Sequence, residues 1–240
     1  MTPHEHYRAG ELDQAIGALG EELRSHPLDL QRRTFLFELL CFAGQYNRAE
    51  KHMDILANLA SGPATAGLLA YRSALHAQRT REAMFLSGKL PDAELAEASG
   101  AGMCNGQSFT SFLDADPRIG DHLEVFLAGS YTWLPLHFVQ ELRVERPFNL
   151  RDLLWARARL TLAPGAPFQD LGEVFLPALT PLAHRHADSA VRLGRATVWT
   201  ALSAGGEVPE GQKIFQVDED ELPCLELQTV SWANVARGEG

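Results

Sequence analysis

The residues with most capacity for chemistry in this sequence are a histidine pair in its C-terminal half. His184 and His186 are separated by one residue, and Asp188 follows them. Two imidazoles at this spacing can face one zinc ion, but a zinc site needs a third protein ligand, and the sequence names none. A metal-dependent hydrolase that uses His184, His186 and an aspartate is therefore the alternative functional hypothesis.

A second cluster combines acidic residues with one histidine: Asp114, Asp116, Asp121 and His122. The segment lacks the glycine-turned loop and the distal glutamate of an EF-hand. We expect Asp114 or Asp116 to cap the turn at Pro117-Arg118 instead, with Gly120 completing it. Whether this cluster or the histidine pair binds a metal stays open at this point.

Motifs for known enzyme classes are missing. There is no nucleophile elbow, zinc-protease motif or phosphate-binding loop. We therefore predict no catalytic residues, no metal and no cofactor, and hence a protein that is not an enzyme.

The net charge of −10, from 31 acidic and 21 basic residues, disfavours nucleic acids and anionic membrane surfaces as partners. The sequence contains no apolar run of about 18 residues and no signal peptide. Its three cysteines, Cys41, Cys104 and Cys224, are far apart and form no disulfide framework. These features predict a cytoplasmic protein, with no oligomeric state specified.

A helical repeat between about Arg8 and Ala60 is the first element that can position functional residues. Two segments align at a shift of 34 residues, the period of the tetratricopeptide repeat. The shift superimposes Gly10 on Gly44, Leu12 on Tyr46, Ala15 on Ala49 and Leu19 on Met53. The glycines would end the first helix of each pair, and the alanines would let the helices cross closely.

The first repeat is truncated and the second is complete. We expect later helices, at about 64–78 and 79–86, to cap the array. A single amphipathic helical hairpin with a glycine at its turn is the alternative explanation of this pattern.

The first helix of the complete repeat would supply an inner surface for a peptide. At tetratricopeptide spacing its exposed residues would be Gln31, Thr34, Glu38, Cys41 and Phe42. Grooves of this kind bind an extended or helical segment of another protein. For Cys41 and Phe42, packing against the neighbouring helix is an equally supported alternative.

After about residue 98 the hydrophobic pattern changes to a period of two, with β-branched and aromatic residues. We predict an α+β fold: tetratricopeptide-like helical hairpins over 1–98, a linker over 99–108, and a β-rich α+β domain over 109–240. The strands would form an antiparallel sheet or a partly closed barrel.

Within the β-rich half, residues 123–136 predict a hairpin that turns at Gly129, whereas residues 151–162 begin like a helix and end like a strand. The four tryptophans are expected in the core: Trp133, Trp155, Trp199 and Trp232. Three arginines have two interpretations, either docking an acidic partner or bracing strand ends: Arg151, Arg192 and Arg195.

The order of motifs in the C-terminal half resembles one known family. RDLLW (residues 151–155) and RLGRATVW (residues 192–199) are its most specific parts. This order is similar to the ImpE family, also called TagJ or SciE type, and the helical half agrees with it. The sequence departs from the family pattern at Thr180 and Lys213, where tyrosine and arginine are common.

The resemblance implies a non-enzymatic, cytoplasmic accessory protein of bacterial type VI secretion. It implies binding to a short helical segment of the small contractile-sheath subunit, and an influence on sheath handling by the disassembly ATPase. A chaperone-like holder of many unfolded chains is a third hypothesis from the helical repeat alone.

Overall fold

The structure is a computed structural model that describes residues 1–59, 64–91, 100–167, 171–202 and 205–233. Helices precede a β-rich region in these ranges, so the predicted α+β fold is confirmed. The described α-helices are α1 (Pro3–Arg8), α2 (Leu12–Ser25), α3 (Leu30–Phe42), α4 (Tyr46–Leu59), α5 (Ala64–Ser87) and α6 (Ser189–Arg192).

The first four helices form the two predicted hairpins, one truncated and one complete. Gly10 and Gly44 follow α1 and α3 with φ of +82° and +66°, the left-handed conformation in which a glycine costs least. Thr2 and Glu5 form a capping box that lets the short α1 begin. Ala15 and Ala49 have no exposed surface, as expected where paired helices cross closely.

A single long helix, α5, follows the repeat. The sequence predicted two helices here, over 64–78 and 79–86, and this was wrong. Gln78 and Arg79 at the expected break are good helix formers, and neither glycine nor proline interrupts the helix there. No described helix is both long and apolar enough to cross a bilayer.

The main sheet has eight strands and is antiparallel throughout, in the order β2-β1-β13-β6-β7-β8-β4-β5. Its strands are β1 (Gly102–Cys104), β2 (Gln107–Phe109), β4 (His122–Leu127), β5 (Ser130–Pro135), β6 (Val139–Val144), β7 (Trp155–Leu162), β8 (Gly172–Pro177) and β13 (Thr229–Trp232). The sheet is open, in agreement with the predicted antiparallel sheet.

Two small sheets complete the β-rich region. Their strands are β3 (Phe112–Asp114), β9 (Thr197–Ala201), β10 (Glu207–Gly211), β11 (Ile214–Val217) and β12 (Asp220–Pro223). β12, β11 and β3 form one sheet, and β10 pairs with β9 in the other. The predicted hairpin over 123–136 is present as β4 and β5, which turn at Ala128 and Gly129.

The segment predicted as a linker, 99–108, contributes strand β1 and the start of β2. Asn105 and Gly106 join the two strands with φ of +49° and +86°, as in the tight turn that favours Asn-Gly. A side chain at Gly102 would overlap the Ser231 carbonyl and the Phe109 ring, so glycine lets these strands pack closely. The small residues therefore belong to an edge of the sheet.

The ambiguous segment 151–162 contains both predicted conformations in succession. A 3-10 helix spans Leu150–Leu153, and β7 begins at Trp155. Asn149 and Asp152 cap the 3-10 helix, which explains its helical signal. The same pattern occurs earlier, where a 3-10 helix at Leu136–Phe138 leads into β6.

Two main hydrophobic cores hold these layers together. One lies among the helices and extends to the sheet through Phe126 and Trp155, and the other lies within the β-rich region. Trp133, Trp155 and Trp232 are buried as predicted. Trp199 is 39% exposed, so the prediction of a core position was wrong for it, because β9 belongs to the small two-stranded sheet.

Candidate peptide-binding groove

A groove of about 660 Å³ lies where the helical half meets the β-rich half. One wall comes from α1 and the first part of α3, and the other from residues 147–153. Its lining residues are His4, Tyr7, Leu30, Gln31, Thr34, Phe35, Glu38, Pro147, Phe148, Asn149, Leu150, Arg151 and Leu153. We call this feature the α1–α3 groove.

The rim of the α1–α3 groove is apolar and exposed. Phe148 is 89% exposed and Leu30 is 43% exposed. The backbone N–H groups of Phe148 and Asn149 donate to Oδ2 of Asp152 at 3.0 and 2.8 Å. Burying a phenylalanine side chain contributes roughly 1.5–3 kcal/mol, so a loop that holds Phe148 in solvent gives up this stabilisation in the free protein. Exposed apolar side chains that line a groove are typical of a protein-contact site.

Aromatic contacts pack α1 against α3 in this wall of the groove. The ring of His4 stacks on Phe35 with 4.3 Å between centroids and an interplanar angle of 7°. Tyr7 meets the same Phe35 ring edge-on at 5.8 Å. The truncated first repeat therefore supplies part of this wall, although its first helix has only six residues.

An ion pair joins the two walls of the groove. Nη1 of Arg151 donates to Oε1 of Glu38 at 3.2 Å, and the two side chains are 24% and 8% exposed. Burial raises the pKa of Glu38 to about 7, although the Arg151 guanidinium opposes this shift. Arg151 also lies over the Tyr71 ring at 4.3 Å. The pair connects α3 with the 3-10 helix at Leu150–Leu153.

Of the five residues predicted to bind a partner, three line the groove and two are buried in the core. Gln31, Thr34 and Glu38 line the groove together. Cys41 and Phe42 are only 3% and 1% exposed, so they are core residues and are not available to a partner in this structure.

The physical reason is that the β-rich half covers the inner surface of the repeat. Every residue from Phe35 to Phe42 is buried, and Trp155 of β7 lies 6.4 Å from Phe37 between ring centroids. Only the first part of α3 remains exposed to solvent. The sequence reasoning missed Phe148, whose signal was a lone aromatic residue in the polar segment Glu145–Asn149.

The histidine pair is part of the packing between the two halves. His184 lies against the turn at Gly44, with its Nδ1 3.8 Å from Oε2 of Glu82. Nδ1 of His186 instead accepts a hydrogen bond from the backbone N–H of Asp188 at 3.0 Å. Among the described residues, no three potential metal ligands come together. Nothing in this geometry supports the hydrolase hypothesis.

The acidic cluster forms a turn, as the sequence suggested. Oδ1 of Asp116 accepts from the backbone N–H of Arg118 at 3.0 Å, and its carboxylate also pairs with the Arg118 guanidinium. Asp114 accepts from the backbone N–H of Asp116 and forms a buried ion pair with Lys213. The side chains of Asp114 and Asp116 thus have protein partners.

Two further arginines join the β-rich half to the repeat. Nη1 of Arg192 donates to Asp13 at 2.8 Å. Arg195 donates to the backbone oxygens of Tyr7 and Arg8 at 2.6 and 3.0 Å. Both arginines, like Arg151, have structural partners, which agrees with the bracing interpretation, although they connect the two halves and not only strand ends.

Sequence similarity to known proteins identifies the family of this chain. The family model described as ImpE protein matches residues 106–231, just over half of the chain. The chain is also 34% identical to the type VI secretion system accessory component TagJ of Pseudomonas aeruginosa PAO1, across 97% of this chain and 91% of that protein. The chain belongs to the ImpE family.

The fold of this ImpE-family chain has a counterpart among solved structures. It is similar to the crystal structure of protein VPA1032 from Vibrio parahaemolyticus, with a TM-score of 0.82 and 22% sequence identity. The match covers 95% of this chain and 96% of that one. The arrangement of a truncated helical repeat on an antiparallel sheet therefore occurs in another protein.

The two departures from the family pattern have structural partners here. Oγ1 of Thr180 accepts from the backbone N–H of Gly211 at 2.9 Å. Nζ of Lys213, which is 2% exposed, pairs with Glu124 at 2.7 Å and with Asp114. Both substitutions are thus accommodated inside the β-rich half.

Proposed function

We propose that this chain is a non-enzymatic adaptor of a type VI secretion system, acting in the cytoplasm. In this proposal it binds a helical segment of the small contractile-sheath subunit. The observation that carries the proposal is the α1–α3 groove, with the exposed Phe148 on a hydrogen-bonded loop at its rim. Membership of the ImpE family and the accessory role named for the TagJ relative support the secretion context.

The size of the groove favours the apolar face of a helix as its occupant. One turn of a helix with its side chains is about 10–12 Å wide and occupies on the order of 500 Å³. A groove of about 660 Å³ therefore takes the anchoring side chains of two or three turns, and not a whole helix. Helices recognised in this way carry apolar residues at positions i, i+3, i+4 and i+7.

Holding such a segment would influence sheath disassembly. The apolar face of the bound segment would be buried between Leu30 and Phe148. This face would then be inaccessible to the disassembly ATPase. In this proposal the adaptor acts by binding alone and needs no catalytic group.

Calorimetric titration of a synthetic helical segment from the small sheath subunit tests the proposal. We expect binding to the wild-type protein and a loss of tenfold or more in affinity for Phe148→Ser, since a buried aromatic anchor contributes at least 1.4 kcal/mol. Met103→Ser is the matched control, because Met103 is 46% exposed on β1 and lies outside the groove.

Absence of heat at high micromolar peptide concentration would contradict the proposal. Equal weakening by both variants would place the binding site elsewhere. Equal binding of a scrambled peptide would favour the chaperone-like holder instead.

A further inference from the structure

We infer that the outer edge of strand β9 pairs with the same strand of a second copy of this chain. The two strands would lie antiparallel, with Trp199 opposite its counterpart, and the resulting sheet would have the order β10-β9-β9-β10. The inference does not depend on the α1–α3 groove, because no residue of β9 lines it.

β9 is an edge strand with no partner on its outer side among the described residues. It pairs with β10 alone, in a sheet of two strands. All of its residues from Val198 to Ala201 are exposed. Val198 and Trp199 point to opposite faces of the strand and are 38% and 39% exposed. An exposed apolar edge of this kind is a template for pairing with another strand.

The hydrogen bonds of the hairpin identify which backbone groups of β9 face outwards. Leu202, just beyond β9, donates its backbone N–H to the carbonyl of Gly206 at 2.9 Å, so these residues form a hydrogen-bonded pair. Such pairs alternate with non-bonded pairs in an antiparallel ladder, which makes Trp199 and Pro209 a non-bonded pair. Proline has no N–H to donate, which agrees with this assignment. The residues of β9 whose backbone N–H and C=O groups point away from β10 are therefore Thr197, Trp199 and Ala201.

The other sheet edges in the described part of the chain are protected against such pairing. β12 carries Asp220, Glu221 and Pro223, and both charge and proline oppose the addition of a strand. β2 and β3 have only three residues each, and β10 is mostly buried. In β5 only Ser130 is exposed. β9 lacks these protections, because residues 196–202 include neither a charged residue nor a proline.

A second copy of β9 matches this edge in hydrogen bonds, side chains and charge. A two-fold axis through the Trp199 pair places Thr197 of each copy opposite Ala201 of the other. Every outward N–H and C=O group of β9 then has a partner. Val198 would lie opposite Thr200, a pair of β-branched residues, and the two Trp199 rings would form a cross-strand aromatic pair. No like charges meet within the paired strands, because β9 has no charged residue.

The interface would be small. Strands of five residues bury an area near or below the lower limit for specific complexes, about 1,200 Å² in total. We therefore expect a reversible dimer with a dissociation constant on the order of 100 μM. Sedimentation velocity of the wild-type protein over a range of concentrations measures this constant.

Amide hydrogen exchange tests the strand pairing without any variant. At concentrations where the dimer is populated, exchange should slow at the outward amides of Thr197, Trp199 and Ala201. The amides of Val198 and Thr200 face β10 in the monomer already, so their exchange should change much less. An alternating pattern along β9 distinguishes strand pairing from a contact made by side chains alone.

Cysteine cross-linking tests the register. Trp199→Cys places two thiols on directly opposite residues, whose Cα atoms would lie about 5.5 Å apart, within the range of a disulfide. Val198→Cys is the matched control, because Val198 is as exposed as Trp199 but its counterpart would be a diagonal neighbour about 7–8 Å away. Oxidised glutathione should therefore cross-link Trp199→Cys and leave Val198→Cys mostly monomeric. The three native cysteines are buried and should not react.

Ala201→Pro tests the backbone hydrogen bonds. It removes an outward N–H and no hydrogen bond to β10, so it should raise the dissociation constant at least tenfold. Ala201→Thr is the control at the same position, because it keeps the N–H and should dimerise like the wild type.

Three results would overturn the inference. One is a wild-type protein that stays monomeric up to about 1 mM, ten times the expected constant. Another is a dimer in which exchange at the outward amides of β9 is unchanged, or in which both cysteine variants cross-link equally. The third is an extended segment of a different protein that binds β9 while the chain alone stays monomeric, because the occupant would then not be a second copy.

Discussion

Arg81 on α5 and Glu124 on β4 form a bidentate ion pair in which neither side chain is exposed to solvent. Nε and Nη2 of Arg81 each lie 2.7 Å from one oxygen of the Glu124 carboxylate. Lys213 contacts the same carboxylate at 2.7 Å, and the Tyr131 hydroxyl donates to it at 2.5 Å. The two cations hold the pKa of Glu124 well below its usual range, although burial opposes them. This cluster attaches the long helix to the sheet.

Replacing Arg81 with methionine should destabilise the protein by about 3–5 kcal/mol, because it leaves a buried carboxylate with only part of its compensation. Arg79→Met is a matched control two residues away on α5. Arg79 is exposed and pairs with Glu50 at the surface, where an ion pair contributes about 0–1 kcal/mol. Urea unfolding of both variants measures the difference. Equal stability of the two variants would show that the buried pair adds nothing beyond a surface pair.

The two equivalent glycines of the repeat should differ in their tolerance of alanine. Both have positive φ, which costs an alanine roughly 1–2 kcal/mol. A Cβ at Gly44 would also overlap the His184 ring, whereas a Cβ at Gly10 would lie 3.8 Å from Nη1 of Arg195, an ordinary contact. Gly44→Ala should therefore destabilise the protein more than Gly10→Ala.

The double variant Gly44→Ala/His184→Ala separates the two causes. Without the His184 ring, the added Cβ meets no overlap, so Gly44→Ala should cost only the strain of its positive φ. The changes in unfolding free energy caused by the two substitutions should therefore not add. Chemical denaturation of the four proteins gives this coupling. Additive effects would mean that the turn moves away from the histidine without cost.

The helical repeat could be predicted from sequence because its signals are local. Gly10, Ala15, Gly44 and Ala49 each occupy a position where the backbone or the helix crossing restricts the residue type, and all four have the expected geometry. The Asn105-Gly106 turn was equally local. Its signal was present, but the many small residues around it suggested a linker.

The groove could be predicted only in part because it depends on non-local packing. Tetratricopeptide spacing identified Gln31, Thr34 and Glu38 on one face of α3, and these residues line the groove. The same spacing gave no sign that β7 would cover Cys41 and Phe42. The opposite wall, residues 147–153, is more than 100 positions away along the chain, so no periodicity on α3 could point to it.

Arg195 should stabilise α1 against local unfolding. Its guanidinium donates to the carbonyl oxygens of Tyr7 and Arg8 at the end of α1 and lies 4.6 Å from the Tyr7 ring centroid. A helix of six residues is too short to be stable alone, so it depends on such contacts. Arg195→Met should therefore speed amide hydrogen exchange in α1 and leave exchange in α3 unchanged.

Arg159→Met is the control for this experiment, because Arg159 is 69% exposed and pairs with Glu173 on the sheet. Unchanged exchange in α1 of Arg195→Met would mean that the stacking around Phe35 is sufficient to hold the helix.

The stability of the free protein should depend on pH through Glu38. The pKa of this carboxyl is raised from 4.5 to about 7, mainly by burial, so the folded state binds its proton more tightly than the unfolded state does. Below pH 4.5 both states are protonated and Glu38 has no effect. As the pH rises through the window from 4.5 to 7 the unfolded state ionises first, and stability is lost. Above pH 7 the full loss, about 3 kcal/mol at most, is present.

Glu38→Gln removes this titration while keeping an oxygen that accepts from Arg151. The difference in unfolding free energy between Glu38→Gln and the wild type should therefore increase with pH between 5 and 8, in favour of the variant. Glu50→Gln is the matched control, since its carboxylate is exposed on α4 and lies outside the groove. Parallel curves for Glu38→Gln and the wild type would show that the carboxylate is already satisfied in the free groove.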